Sequence, residues 1–160
     1  MTDLRDSIDK LTAIREMRDD DAMAVSLLTT QLGYSRSADE IAAWIARLSI
    51  ENAEQVAFVA CVGEDVVGWI EVSIERRLQS EPFGMIGGLV VSDGRRSRGV
   101  GQLLCRRAEE WVREQGLDTL RVTSRSTRQD AHRFYLRDGY SEVKTSLVFE
   151  KQLGPTAHRP

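Results

Sequence analysis

Along this chain the spacing of apolar positions changes period several times, and each change marks an element. Thr12 to Met17 alternates and predicts a first strand. Asp19-Asp20-Asp21 offers N-cap side chains and favours the positive end of a helix dipole. Ala22, Val25, Leu27 and Leu28 then follow at helical spacing, and Gly33 can stop that helix. Ser37-Ala38-Asp39-Glu40 reads as a capping box, with Ile41, Trp44, Ile45 and Leu48 at helical spacing after it. Ala57 to Val62 and Val66 to Ile74 are apolar, β-branched runs around a Gly63-Glu64-Asp65 turn, which predicts a hairpin. Arg76 to Pro82 reads as a polar connection, and Phe83 to Val91 as a further strand interrupted by Gly84, Gly87 and Gly88. The strongest helical pattern is Val100 to Gln115. Val100, Leu103, Leu104, Ala108, Trp111 and Val112 share one face, charged residues hold the other, and Gly116 fits the C-terminal cap. Thr119 to Thr123 reads as a strand, Gln129 to Asp138 as a short helix ending at Gly139, and Ser141 to Leu153 as extended chain.

The predicted order is β-α-α-β-β-β-α-β-α-β. Antiparallel hairpins come first, and a right-handed strand-helix-strand unit with parallel strands follows. One mixed sheet with helices on both faces accommodates this order, an α/β (α+β) fold. The 160 residues suit a single domain, with 1–11 and 154–160 expected as flexible ends.

Composition narrows the function more than the fold. Hydrophobic residues make up 41% and charged residues 29%, as in ordinary globular proteins. A net charge of -3 gives no global reason to expect nucleic acid or an anionic membrane. Cys61 and Cys105 each sit in an apolar stretch and read as buried thiols. Two histidines, His132 and His158, provide no zinc-ligand spacing. The first residues lack the apolar core of a secretory signal, and no apolar run approaches the ~20 residues of a membrane helix. A cytoplasmic enzyme with no metal is the default expectation.

The segment Val91-Ser-Asp-Gly-Arg-Arg-Ser-Arg-Gly-Val-Gly101 carries the chemistry. It leaves a strand and enters a strong helix, whose first N–H groups attract an anion. Gly99 and Gly101 let a phosphate approach the backbone, and Arg95, Arg96 and Arg98 add positive charge. Gly94 to Gly99 has the spacing of a P-loop start, but Val100-Gly101 replaces the required Lys-Ser/Thr. Gly99-Val100-Gly101 begins like a dinucleotide fingerprint, but Leu104 stands where its third glycine belongs. What remains is Arg/Gln-x-x-Gly-x-Gly/Ala, met by Arg96-Ser97-Arg98-Gly99-Val100-Gly101. Taken alone, that pattern is also met by a basic loop with a glycine at a helix start.

This segment is similar to motif A of the GNAT superfamily of N-acetyltransferases. Ala131-His132-Arg133-Phe134-Tyr135 followed by Gly139-Tyr140 resembles the family's motif B, and the element order resembles its fold from Ile14 to Leu153. The resemblance implies acetyl-CoA as co-substrate and a V-shaped splay between two central parallel strands, Phe83–Val91 and Thr119–Thr123, with pantetheine in the gap. It implies that backbone groups of Leu89, Val90 and Val91 bond the pantetheine arm. The diphosphate would lie on Arg95, Arg96, Ser97, Arg98, Gly99, Val100 and Gly101, with Arg128, Ala131 and Phe134 completing the cofactor side. Arg128 departs from the family, many of whose members carry asparagine there, so that amide's hydrogen bond does not carry over.

Acyl transfer to an amine needs a neutral nucleophile, donors for the developing oxyanion, and a proton for the leaving thiolate. The resemblance assigns the last role to Tyr135, a phenol protonated at neutral pH; packing against Phe134 is the structural alternative. The Leu89 or Val90 N–H is the candidate oxyanion donor. For the base, Glu71 lies mid-strand between Ile70 and Val72, either facing an acceptor pocket or facing solvent. Water could equally take the proton, and Glu81 is a lesser candidate. His132 shares a helix face with Tyr135 and reads first as structural, and Trp44 and Trp69 read first as core.

The expected activity is therefore transfer of an acetyl group to a primary amine, in a small molecule or a peptide. Asp19, Asp20, Asp21, Asp39 and Glu40 would suit a cationic acceptor, or form a solvated face. A non-catalytic acyl-CoA-binding domain is the competing class. Nucleic-acid binding is disfavoured, because the arginine cluster is short and lacks interleaved aromatics. A homodimer is expected only by analogy.

Overall fold

The computed structural model describes residues 11–51, 54–96 and 98–155. The alternating N-terminal stretch forms β1 (Thr12–Glu16). A short turn over Asp19–Asp21 leads into α1 (Ala22–Gln31), and α2 (Ala38–Glu51) follows. The capping box opens α2: Ser37 Oγ accepts from Glu40 N at 3.1 Å, and Glu40 Oε2 accepts from Ser37 N at 2.9 Å.

The two β-branched runs form β2 (Gln55–Val62) and β3 (Asp65–Arg77), joined by a two-residue turn. Gly63, at φ 61°, supplies the left-handed turn conformation. β4 (Ser80–Val91) returns along β3, so the polar stretch Arg76 to Pro82 is mostly strand rather than the expected connection. The polar residues stay in the strands because their stems pack and their heads pair. Arg77 lies over the Phe83 ring at 5.2 Å, and Arg76 pairs with Glu54 at 2.7 Å.

After β4 come α3 (Val100–Glu114), β5 (Leu120–Val122) and α4 (Gln129–Arg137). The five strands form one mixed sheet in the order β1-β2-β3-β4-β5, antiparallel except for the parallel β4–β5 pair. β5 is the last strand in this order, and the segment after Tyr140 forms no strand among the described residues, where the sequence predicted extended chain.

The chain separates into two compact units, Met1–Thr123 and Ser124–Pro160. In the first, both sheet faces are covered by helices. Val59, Trp69 and Val90, side by side on adjacent strands, pack with Val25 and Leu28 of α1 and Ile41 and Ile45 of α2. On the opposite face Gly68 lies against Val100 and Leu104, and Gly84 against Val112, all from α3. Arg107 of α3 sits over the Phe58 ring at 4.5 Å on that face. Cys61 and Cys105 are buried free thiols, as expected.

Candidate active site

The parallel ladder joins β4 and β5 only from Gly84↔Leu120 to Ile86↔Val122. Beyond Ile86, β4 continues for five more residues with no strand on that side among the described residues. The ladder thus ends where the family resemblance implies a splay between these strands.

A bulge at the branch point decides which backbone groups face the gap. Glu71 pairs with Gly88 and Val72 with Ile86, so Gly87 is an extra residue in β4. Before the bulge, Gly84 N donates to Thr119 O, the residue preceding β5, at 2.8 Å. After it, Ser92 N donates to Val67 O on β3 at 2.8 Å, and Val90 O also points toward β3, against Gly68. Strand backbone groups alternate sides. Hence Val90 N–H belongs to the β3 ladder, while the N–H groups of Leu89 and Val91 turn toward the gap. Of the two oxyanion donors considered from sequence, this geometry leaves Leu89.

Past β4 the chain makes a short turn over Asp93–Arg95 and enters α3. Gly99 caps that helix at φ 84°, a conformation that a side chain would strain, and among the described residues no side-chain hydrogen bond caps the first turn. Leu103 N donates to Gly99 O, so the N–H groups preceding it in the turn remain without intrahelical acceptors. Arg96 pairs with Asp93 at 2.8 Å across two exposed side chains. Arg95 and Arg98 have no ion pair among the described residues, and Ser97 lies outside them. Val100 is buried as the first core residue of α3, which fixes the orientation of the helix start. A glycine-opened helix start flanked by arginine charge fits the diphosphate of coenzyme A. Gln31 of α1, not identified from the sequence, holds this exit: its Nε2 donates to Val91 O at 3.4 Å and its Oε1 accepts from Asp93 N at 3.3 Å.

The bulge also shapes the helical face of α1 and α2. A Cβ on Gly87 would come within 3.2 Å of the Glu71 carboxyl, and one on Gly88 within 2.7 Å of the Trp69 ring. Two glycines thus make room for two side chains. Trp69 belongs to the core, as expected. Glu71 is half-buried, and Gln55 Nε2, diagonally across on β2, donates to its Oε1 at 2.9 Å. Burial pushes the Glu71 carboxyl up from the ordinary 4.5, and the Gln55 hydrogen bond, acting the other way, does not cancel it. Ser73 and Met85 flank it, both half-buried. Glu81 is exposed on β4.

The proposed acidic acceptor surface is broken up. Asp21 is 4% exposed and takes a bidentate bond from Arg15, at 2.8 and 2.9 Å, and one from Arg18 N at 2.8 Å. Burial pushes its carboxyl up, but these donors outweigh it and hold it below 3.8. Glu40 is engaged by Ser37 N and Arg36, while Asp19, Asp20 and Asp39 are exposed.

In the second unit, α4 carries the motif B residues. Tyr135 meets Phe134 edge-on at 5.2 Å and Tyr140 at 5.5 Å between ring centroids, and Tyr140 N donates to Tyr135 O at 2.9 Å. Arg128 stands at the N-cap, Ala131 is half-buried, and Arg133 pairs with Asp130. His132 Nε2 lies 2.8 Å from Arg125 O, which matches its structural reading.

The acetyltransferase (GNAT) family model matches residues 14–140. The chain belongs to this family. Aminoalkylphosphonate N-acetyltransferase of Salmonella typhimurium is 32% identical over 128 residues, 76% of each chain. Aminoglycoside N(6')-acetyltransferase type 1 of Stenotrophomonas maltophilia is 29% identical over 149 residues, 90% of this chain and 95% of that one. The fold matches AAC(6')-Iy, solved with a CoA-bearing bisubstrate analogue, at a TM-score of 0.78 and 19% identity, over 88% of this chain and 98% of that one. This GNAT protein is thus an N-acetyltransferase, and acetyl-CoA is its co-substrate. Among the described residues no cluster of side chains could hold a metal ion, and no helix is long and apolar enough to cross a membrane.

Proposed function

We propose that the acceptor is a small cationic molecule with a primary amine, received at the bulge by Glu71. The observation that carries this is a half-buried carboxylate whose bonding partner is the neutral Gln55 amide, with no cation paired to it among the described residues. A carboxylate so placed attracts an ammonium, and its raised affinity for protons makes it a stronger base. The names of the two relatives, aminoalkylphosphonate and aminoglycoside acetyltransferases, point to small amines for those proteins.

On this reading Glu71 takes a proton from the amine, directly or through water, and the neutral nitrogen attacks the acetyl carbon. A C–N bond forms and the C–S bond breaks. Leu89 N–H donates to the acetyl oxygen as negative charge develops there. Tyr135 returns a proton to the coenzyme A thiolate. The resemblance of motif B supports that role, as it supports Arg128, Ala131 and Phe134 on the cofactor side. Leu89 and Val91 bond pantetheine, Val90 having its N–H in the ladder. Arg95, Arg96, Ser97, Arg98 and the helix start at Gly99, Val100 and Gly101 hold the diphosphate. The protein acts in the cytoplasm, in keeping with two unlinked cysteines, and as a homodimer, in keeping with similar proteins.

Thiol release from acetyl-CoA, measured over a panel of small amines and a lysine peptide, tests this. Turnover should favour polycationic small molecules and fall at least tenfold in Tyr135→Phe. The absence of release with every small amine, or preference for the peptide, would sink it.

A further inference from the structure

We propose that Gln31 is a positioning residue for the cofactor: from the end of α1, its side-chain amide completes the edge of β4 as a neighbouring strand would and fixes where the pantetheine arm turns from that edge toward Gly99. The proposal rests on the reading that the arm lies on Leu89 and Val91.

Backbone groups alternate along β4. Ser92 N donates to Val67 O and Val90 O lies against Gly68, so these residues bond toward β3. The groups of Leu89 and Val91 turn the other way, past the point where the ladder to β5 stops at Ile86. On that side Gln31 Nε2 donates to Val91 O at 3.4 Å, and Gln31 Oε1 accepts from Asp93 N at 3.3 Å. A residue of a parallel strand bonds in the same manner, to the carbonyl of one residue and the N–H two positions on, passing over the residue between. Here the residue passed over is Ser92, whose own N–H serves β3. One side-chain amide thus takes the place of a strand at the last step of β4.

Both bonds are long and exposed, so they hold the edge only because their owner is itself held. Leu28, one helical turn before Gln31, is buried with Val25 against Val90 and Trp69. Thr29 is buried too, and its Oγ1 donates to Val25 O at 2.7 Å. Gly33, at φ 96°, ends the turn that follows α1. The partners of Gln31 lie sixty and sixty-two positions away in sequence, so the contact ties two elements and is no local cap.

The cofactor reading needs that tie. The acetyl oxygen is assigned to Leu89 N–H and the diphosphate to the helix start at Gly99. Between them the chain bends through Asp93–Arg95. The bond from Arg95 N to Ser92 O at 2.8 Å and the Arg96–Asp93 ion pair at 2.8 Å shape this bend from within. Gln31 joins its first residue to α1. With the Val91 carbonyl and the Asp93 N–H already engaged, the arm pairs with β4 as far as Val91 N–H and turns there. A preformed turning point spares the cost of ordering it when the cofactor binds.

The test is Gln31→Met, which keeps the length of the side chain and removes both polar atoms. Two probes are titrated by calorimetry: coenzyme A, and adenosine 3'-phosphate 5'-diphosphate, which has the diphosphate and no arm. The variant should bind coenzyme A about tenfold more weakly, the scale of two hydrogen bonds, and the armless nucleotide as the wild type does. KM for acetyl-CoA should rise by the same factor, with kcat and the KM for the amine within about twofold. The Asp93 amide should exchange slowly in the unliganded wild type and at least tenfold faster in the variant. Unchanged affinity for coenzyme A, equal weakening for both probes, or a fall in kcat with KM intact would overturn the role of Gln31. A wild type that binds coenzyme A no more tightly than the armless nucleotide would instead remove the arm from β4 and sink the reading beneath it. Should the variant fail to fold, rapid exchange of the wild-type Asp93 amide would overturn the proposal and slow exchange would uphold it.

Discussion

Two carboxylates on one face of the sheet meet opposite surroundings. Asp21 is nearly inaccessible, and a guanidinium fork and a backbone N–H surround it. Glu71, across the strands, is half-buried, and one neutral amide donates to it. Burial raises both; the compensating donors decide the net direction, down for Asp21 and up for Glu71. A carboxylate that is fully satisfied holds structure together. One left partly unsatisfied carries latent chemistry at some cost to stability.

The contrast is open to attack at both corners. Glu71→Gln should lower kcat by about 100-fold, the usual scale for losing a general base. Its melting temperature should stay level or rise. The sign follows from linkage: the folded Glu71 holds its proton above 4.5, so its ionisation weakens folding as pH rises through that higher folded value. A clear loss of stability with intact turnover would make Glu71 a structural residue.

Arg15→Met acts on the other corner, leaving Asp21 buried without its fork. The cost should be about 2 kcal/mol in urea unfolding, below the 3–5 typical of fully buried pairs because Arg15 is 30% exposed. Turnover per folded molecule should not change. The linkage here is reversed: Asp21 is depressed below 3.8, so its stabilisation is present above that pH and fades as pH falls through the folded value. Acid unfolding below about pH 4 should therefore be less steep in the variant.

Gln55→Arg would convert the Glu71 corner into the likeness of the Asp21 corner. It should pull the Glu71 carboxyl down and reduce turnover about tenfold, with the acid limb of kcat/KM moving to lower pH. Gln55→Leu removes the one donor and should move that limb upward, the smallest effect of the series. An unmoved limb in both variants would show that another group, or water, takes the proton.

Much of this was legible before any coordinates. The capping box at Ser37, the amphipathic α3 and the glycine-arginine entry to it depend on residues within a few positions of one another. The resemblance of Arg96–Gly101 and Ala131–Tyr140 to family motifs drew on the same short-range pattern. By contrast Gln55 gave no signal, because its link to Glu71 spans sixteen positions and exists only through the β2–β3 register. Gln31 gave no signal either, and its hold on Val91 and Asp93 appears only once α1 packs beside β4. The polar ends of β3 and β4 looked like loop because period and polarity do not reveal that arginine stems cover a ring.

What the sequence settled by itself was the family, the order of elements as far as α4 and the glycine-opened helix start, since propensity, capping and close backbone approach are local properties. The tertiary structure decided which carboxylate is satisfied and which backbone N–H groups of β4 turn away from β3. Each of these depends on a one-residue bulge at Gly87 or on strand register, and register is a bargain among distant residues that no single stretch of chain contains.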